Sequence, residues 1–286
     1  MKRQTFLIAS ILPAYECHLI GGPSGAGKTR WTFQSLIEWK TKQTFMGYPC
    51  VPFPSTAYLA YDRSESSIGE TLSNFPELDI PCYSLRRTKT SIDQLCKLYP
   101  TIKLFIIDGL ATLLPGGKIN DYQVVSDFLC WIGETCTKHG ITILGILHAS
   151  KTKEGESYRN PRQRIAGSVA WAAYSETVIL IEPLNPDTPE DCKRRLFICP
   201  RNSKEISLDM VMTGTGRLLV EGDQNIENDE LIILEVLRNK GVMSVGQLIQ
   251  NLVNLDISPK TVERRLKSLI DRRLVEKPTY GKYKIT

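Results

Sequence analysis

Gly22-Pro23-Ser24-Gly25-Ala26-Gly27-Lys28-Thr29 decides the fold of this 286-residue chain. The run has the form G-x-x-x-x-G-K-[ST], a loop whose glycines let consecutive backbone N–H groups turn inward on phosphate oxygens. Its flanks fit. Cys17-His18-Leu19-Ile20 is a short apolar run suited to a buried strand, and residues 31, 33, 36 and 37 place apolar side chains on one helical face. Strand, loop and helix in that order predict a nucleotide-binding α/β fold. The whole stretch Gly22, Pro23, Ser24, Gly25, Ala26, Gly27, Lys28, Thr29 and the following Arg30 forms the expected nucleotide site. Lys28 would reach the β- and γ-phosphates of ATP, and the Thr29 hydroxyl would hold Mg²⁺.

Working outward, short apolar runs alternate with amphipathic stretches up to about residue 220. Strands are predicted at 17–20, 56–61, 103–108, 141–147, 176–182 and 195–199, which implies a mostly parallel sheet. Leu104-Phe105-Ile106-Ile107-Asp108 is a buried strand ending in a carboxylate, the Walker B pattern, and Asp108 is the second expected Mg²⁺ residue. Tyr58-Leu59-Ala60-Tyr61-Asp62-Arg63-Ser64-Glu65 ends another strand in acids. Asp62 is the first choice for polarising the attacking water, with Glu65 next. The strand at 141–147 runs into His148, placed to sense the γ-phosphate and to pass its loss to the following loop. That loop carries Lys151, Lys153, Arg159, Arg162 and Arg164 against Glu154 and Glu156, which suits contact with a phosphate backbone.

Near 221–228 the composition turns polar, as a linker does, so the expected domains are 1–222 and 228–286. In the second, residues 229–239 read as a helix, Ser244 opens another, and Ser258-Pro259 opens a third through residue 273. Two short strands around a Pro/Gly turn follow. Three helices and a hairpin predict a winged helix-turn-helix. Its third helix carries six basic residues against two acidic ones. Lys260, Thr261, Arg264 and Arg265 are candidate DNA contacts on that helix, and Lys282 on the wing, beside Lys277 and Lys284; such domains also dock proteins.

The bulk composition permits this and little narrows it. A hydrophobic content of 42% builds a full core, and a net charge of +5 allows nucleic acid as a partner without requiring it. The eight cysteines form no C-x-x-C pair, which points to reduced thiols in a cytoplasmic protein. The N-terminus, Met1-Lys2-Arg3 and then Phe6 to Leu12, imitates a secretion signal. Cleavage would fall just before the strand that feeds the phosphate loop, so the segment is expected to belong to the fold. No run is long enough to span a membrane.

Taken in order, the phosphate loop, Tyr58–Asp62, Leu104–Asp108, His148-Ala149-Ser150-Lys151 and the stretch from Gln163 to Trp171 resemble the RecA-type ATPases of the plasmid RepA group of hexameric replicative helicases. The resemblance covers roughly residues 10–205; its more specific points are His148–Lys151, Gly167-Ser168 and Trp171. It implies a RecA-like core, a homo-hexameric ring with ATP between neighbouring subunits, and single-stranded DNA in the centre. It implies Lys28 and Thr29 on ATP–Mg²⁺, Asp108 as the Walker B acid and His148 as sensor. A basic residue reaching the neighbour's γ-phosphate is sought around Pro200–Lys204: Arg201 first, Lys204 second, with Arg164 a third choice. The chain departs from the family in having Asp62-Arg63 where Glu-Asp is usual. The expected activity is therefore an ATP-dependent DNA helicase or translocase of a plasmid, phage or mobile element, with a winged helix that engages duplex DNA or a replication protein. The alternatives are an ATP-gated DNA-binding regulator and a recombination mediator.

Overall fold

The fold is seen in a computed structural model, which describes residues 5–46, 48–86, 91–148, 161–165, 167–185, 192–213, 217–220, 233, 236–237, 240–252, 257–271, 275–279 and 281–285. The chain divides into two compact units, Met1–Leu218 and Leu219–Thr286. The linker expected at 221–228 lies outside the described residues.

In the first unit, β1 (Cys17–Gly21) leads through the phosphate loop into α1 (Lys28–Lys42). There follow β2 (Thr56–Ala60), α2 (Glu65–Leu72), β3 (Cys82–Ser84), α3 (Ile92–Leu98), β4 (Leu104–Asp108), α4 (Tyr122–His139) and β5 (Thr142–Ile146). Then come α5 (Ala170–Ala173), β6 (Thr177–Pro183), β7 (Lys193–Pro200), β8 (Ile206–Met212) and, starting on the last residue of the unit, β9 (Leu218–Val220). They build one sheet of nine strands in the order β9-β8-β7-β6-β1-β5-β4-β2-β3. From β6 to β3 every pairing is parallel, and β7 and β8 continue the sheet antiparallel. This is an α/β fold with a large, mostly parallel central sheet.

Sequence dictates that arrangement directly. β1, β2, β4 and β5 are buried at every position, as strands covered on both faces by helices must be. Leu19, Leu59, Phe105, Ile107 and Ile143 of those strands share one core with Val125 and Ile132 of α4. Helix ends are fixed locally. Asp121 caps α4 by accepting from the N–H groups of Gln123 and Val124, and Gly140, at φ 60°, closes it in the left-handed conformation. All six predicted strands are present; β3, β8 and β9 are additional. β8 was missed because it is only half buried and lies beyond the last continuous apolar run.

The N-terminal segment pairs as a hairpin, Phe6–Ile8 with Leu12–Pro13, and buries Ile8, Ile11 and Leu12. Among the described residues no helix is long and apolar enough to cross a membrane. All eight cysteines are free thiols.

In the second unit, β10 (Met243–Ser244), α6 (Val245–Leu252), α7 (Pro259–Asp271), β11 (Val275–Thr279) and β12 (Lys282–Ile285) surround a small core of their own. The strands form a three-stranded antiparallel sheet in the order β10-β12-β11. Ser244 and Gln247 exchange hydrogen bonds as a capping box on α6, and the Ser258 hydroxyl accepts from the Thr261 N–H at the start of α7. Of the helix expected at 229–239, Ile233, Val236 and Leu237 are described; they are helical and lie in or against this core.

Candidate functional site

Parallel pairing places Ile179, Ile20, Ile146, Asp108, Ala60 and Ser84 in one row across β6, β1, β5, β4, β2 and β3. One or two residues beyond that row, at the carboxyl ends of the strands, come Gly22, His148, Gly109 and Asp62. Ligands of open α/β sheets bind at that edge. The register alone therefore brings the phosphate loop, the candidate sensor, the Walker B acid and the candidate base onto one rim.

Gly22 fits where no other residue could: a Cβ there would lie 2.3 Å from the Ile181 carbonyl oxygen. Gly27, at φ 96°, opens α1 with no side-chain cap. The first N–H groups of a 15-residue helix thus face the loop without intrahelical acceptors, the arrangement that binds anions. Lys28 is buried at 9% exposure, and its Nζ donates to the carbonyls of Gly22 (2.8 Å) and Pro23 (2.9 Å). Burial pushes its pKa down, and Asp108 and Asp62 pull it back up. The ammonium is folded onto its own loop. Ser24 and Gly25 are exposed in the loop, Pro23 is half-buried, Ala26 is buried, and Arg30 is half-buried in the first turn of α1.

Thr29 Oγ1 donates to Asp108 Oδ2 at 2.8 Å, so the two predicted metal residues already touch. Tyr58, in β2 beside β4, donates its hydroxyl to the same Oδ2 at 2.6 Å. Burial first, then the Asp108 charge, holds the Tyr58 phenol well above its usual pKa, so it stays protonated and donates. A hydroxyl and a carboxylate beside an anion cradle suit Mg²⁺, which takes one or two protein oxygens and completes its shell from substrate phosphate and water. Among the described residues no group of three or more His, Cys, Asp or Glu would hold a metal by itself.

Asp62 leans over the turn after β4. Gly109 sits there at φ 79°, and a Cβ would come within 2.9 Å of the Asp62 Cγ. Desolvation raises the Asp62 carboxyl pKa, and the Asp108 charge adds to the rise. Its own backbone N–H, His148 and Arg63 work the other way. A carboxylate with a raised pKa next to a phosphate site is equipped to take a proton from water. His148 is exposed two residues past β5, near enough for its charge to act on Asp62. Glu65 is exposed in the first turn of α2.

The remaining candidates divide sharply. Arg162 donates to three carbonyls, those of Cys199, Ala172 and Ser175, at 2.8–2.9 Å. Arg164 pairs with Glu182 and stacks over Phe197. Both expectations of DNA contact meet the same physical objection: the guanidinium groups are engaged within the fold, Arg162 by backbone carbonyls and Arg164 by Glu182. Arg201, the first choice for reaching a neighbour's phosphate, is paired with Glu176 at 3.1 Å and donates to the Ala173 and Ser175 carbonyls. Lys204 is exposed in the turn before β8. Lys151, Lys153 and Arg159 lie outside the described residues.

In the second unit Lys260 and Arg264 are exposed on α7, Thr261 is half-buried with its hydroxyl on Ser258, and Lys282 is exposed on β12. Arg265 is corrected: at 8% exposure it lies among the apolar residues of α7, because it falls on the stripe of Val262, Leu266 and Leu269. Gly167, at φ 100°, leaves no room for a Cβ, which would meet the Ile119 carbonyl oxygen at 2.4 Å, and Trp171 is fully buried.

Tyr58 and Arg63 were not foreseen. The signal was there in Tyr58: in a strand apolar on both faces, a phenol must find an acceptor for its hydroxyl.

Residues 2–154 match a known protein family, the AAA domain, over more than half of the chain. A search of curated proteins found no match. The chain belongs to the AAA domain family, and its first unit is a P-loop ATPase domain of the RecA-like class.

Proposed function

We propose that this AAA-domain protein hydrolyses ATP and couples the hydrolysis to movement along DNA, as a hexameric helicase or translocase of a plasmid, phage or mobile element. The observation that supports an ATPase site best is the single rim on which Lys28, Thr29, Asp108, Asp62 and His148 converge.

The triphosphate would lie across the N-terminus of α1. Lys28 Nζ would exchange the carbonyls of Gly22 and Pro23 for β- and γ-phosphate oxygens, which favour the charged ammonium more strongly. Mg²⁺ held at Thr29 and Asp108 would offset the triphosphate charge. Asp62 would take the proton as water attacks the γ-phosphorus and the bond to the ADP oxygen breaks. His148, between the phosphate loop and Asp108 in strand order, would register the loss of the γ-phosphate and move the basic loop that follows.

DNA enters through two features. The loop 151–160 supplies Lys151, Lys153 and Arg159. The second unit, read as a winged helix, offers Lys260 and Arg264 on the exposed side of α7 and Lys282 on the hairpin. In a ring, Lys204 is the best placed of the three candidates for the neighbour's γ-phosphate, because Arg201 is held by Glu176 and Arg164 by Glu182.

One observation favours a second reading. With Arg162 and Arg164 engaged inside the fold, α7 still exposes Lys260, Arg264 and Lys267 within two turns, as an ATP-gated DNA-binding regulator would have it. ATP turnover measured with and without single-stranded DNA separates the two. Several-fold stimulation by single strands, lost in Lys28→Ala, supports the motor. Turnover indifferent to single strands, with duplex binding that depends on ATP, supports the regulator.

A further inference from the structure

We propose that Tyr58 is a positioning residue of the nucleotide site, holding the Asp108 carboxylate in one orientation and tying it to the turn that carries Asp62. The inference rests on the ATPase reading above and adds to it a residue outside the phosphate loop and the acids.

Parallel register puts Tyr58 opposite Ile106 and Ala60 opposite Asp108, so Tyr58 and Asp108 project from the same face of the sheet, on adjacent strands. The Tyr58 ring is fully buried, and Phe33 of α1 meets it edge-on with centroids 4.9 Å apart. Phe33 is in turn packed edge-on against Phe75. A ring fixed in this way fixes where its hydroxyl points, and the hydroxyl points at Asp108 Oδ2, 2.6 Å away.

The Arg63 guanidinium lies close enough to the Tyr58 hydroxyl for its charge and donors to act on the phenol oxygen. Arg63 directly follows Asp62 in the chain. It is anchored to α2 by bonds to the Ser67 carbonyl (3.0 Å), the Ser67 hydroxyl (3.0 Å) and the Thr71 hydroxyl (2.6 Å). A continuous chain of donors therefore runs from α2 through Arg63 and Tyr58 to Asp108.

Thr29 also donates to Oδ2 at 2.8 Å. If the Thr29 hydroxyl turns its oxygen to Mg²⁺, Asp108 loses that donor, and among the described residues Tyr58 is the donor left on Oδ2. The phenol then keeps Oδ2 engaged and leaves Oδ1 to face the metal's shell. Partners of this kind set ligand orientation, and removing one typically weakens metal affinity or activity by about 10- to 100-fold.

The test is Tyr58→Phe in the full chain, which removes one oxygen and keeps the ring. Mn²⁺ affinity is read by electron paramagnetic resonance in the presence of a non-hydrolysable ATP analogue, beside kcat, KM for ATP and melting temperature. The expected result is Mn²⁺ affinity and kcat each lower by about tenfold, with KM within twofold. Arg63→Met, which leaves the phosphate loop and both acids intact, should move both in the same direction by about threefold, and it decides the matter should Tyr58→Phe fail to fold. Unchanged Mn²⁺ affinity and kcat in the variant that folds would overturn the proposal, as would a lower melting temperature with metal affinity intact. Wild-type protein that binds neither the analogue nor Mn²⁺ would remove the ATPase reading itself, and this inference with it.

Discussion

The two flanks of the central sheet treat charge in opposite ways. Along the parallel half, Lys28, Asp62, Asp108 and His148 crowd one rim with their charges uncancelled by any close ion pair among the described residues. Lys28 is desolvated, and Asp62 has its pKa raised. Along the antiparallel half, Arg164 meets Glu182, Arg195 meets Asp209 and Arg201 meets Glu176. Basic residues counted in a sequence are therefore no measure of charge available to a ligand. One half of the sheet leaves charge open at its rim, and the other neutralises its charge in ion pairs.

The contrast is broken or sharpened by substitution. Lys28→Ala should give the largest effect: removing a charge that a triphosphate needs should slow ATP turnover by about a thousandfold, roughly 4 kcal/mol, and leave the melting temperature nearly unchanged. Loss of stability without loss of turnover would erase the distinction between the flanks. Arg162→Ala should do the reverse. Three carbonyls lose their donor, and denaturant unfolding should show a loss of about 3 kcal/mol, with turnover per folded molecule within about twofold.

A strand of the parallel half supplies a smaller, pH-dependent effect. His18 of β1 is fully buried, its Nε2 2.8 Å from the Pro13 carbonyl, and desolvation pushes its pKa down to about 4. The unfolded chain binds that proton more readily. Its contribution to stability is complete above about pH 6.5 and is lost as pH falls toward 4, on the order of 2 kcal/mol by pH 5. The difference in unfolding free energy between wild type and His18→Gln, followed from pH 7 to pH 5, should shrink accordingly. A constant difference would mean that His18 is hydrated in solution.

Much of this was legible in one dimension. The phosphate loop and the Asp108 strand are contiguous, and their chemistry depends on a backbone path that a few residues specify. Strands buried on both faces announce themselves as unbroken apolar runs, which is why β1, β2, β4 and β5 could be placed from the sequence. What could not be read was pairing. Whether Arg162 faces solvent or three carbonyls depends on where Cys199, Ala172 and Ser175 end up, 10 to 37 positions along the chain. Arg265 was misjudged because charge was counted without the helical stripe of Val262, Leu266 and Leu269, which was already visible. Tyr58 was passed over because a phenol in a strand looks like core until its acceptor, 50 residues away, is known.

The central claim is that the rim of the parallel half is a hydrolytic site in which Asp62 takes the proton. Single-turnover ATP hydrolysis by wild type and Asp62→Asn, across pH 4 to 8 with ATP affinity measured in parallel, tests it most directly. The account predicts that Asp62→Asn binds ATP as wild type does and hydrolyses it at least about a hundredfold more slowly. It also predicts that wild-type turnover is full at neutral pH and declines on acidification, around a midpoint above the ordinary aspartate value, with that decline absent in Asp62→Asn. Equal hydrolysis by the two proteins, or an acid limb that survives the substitution, would contradict it.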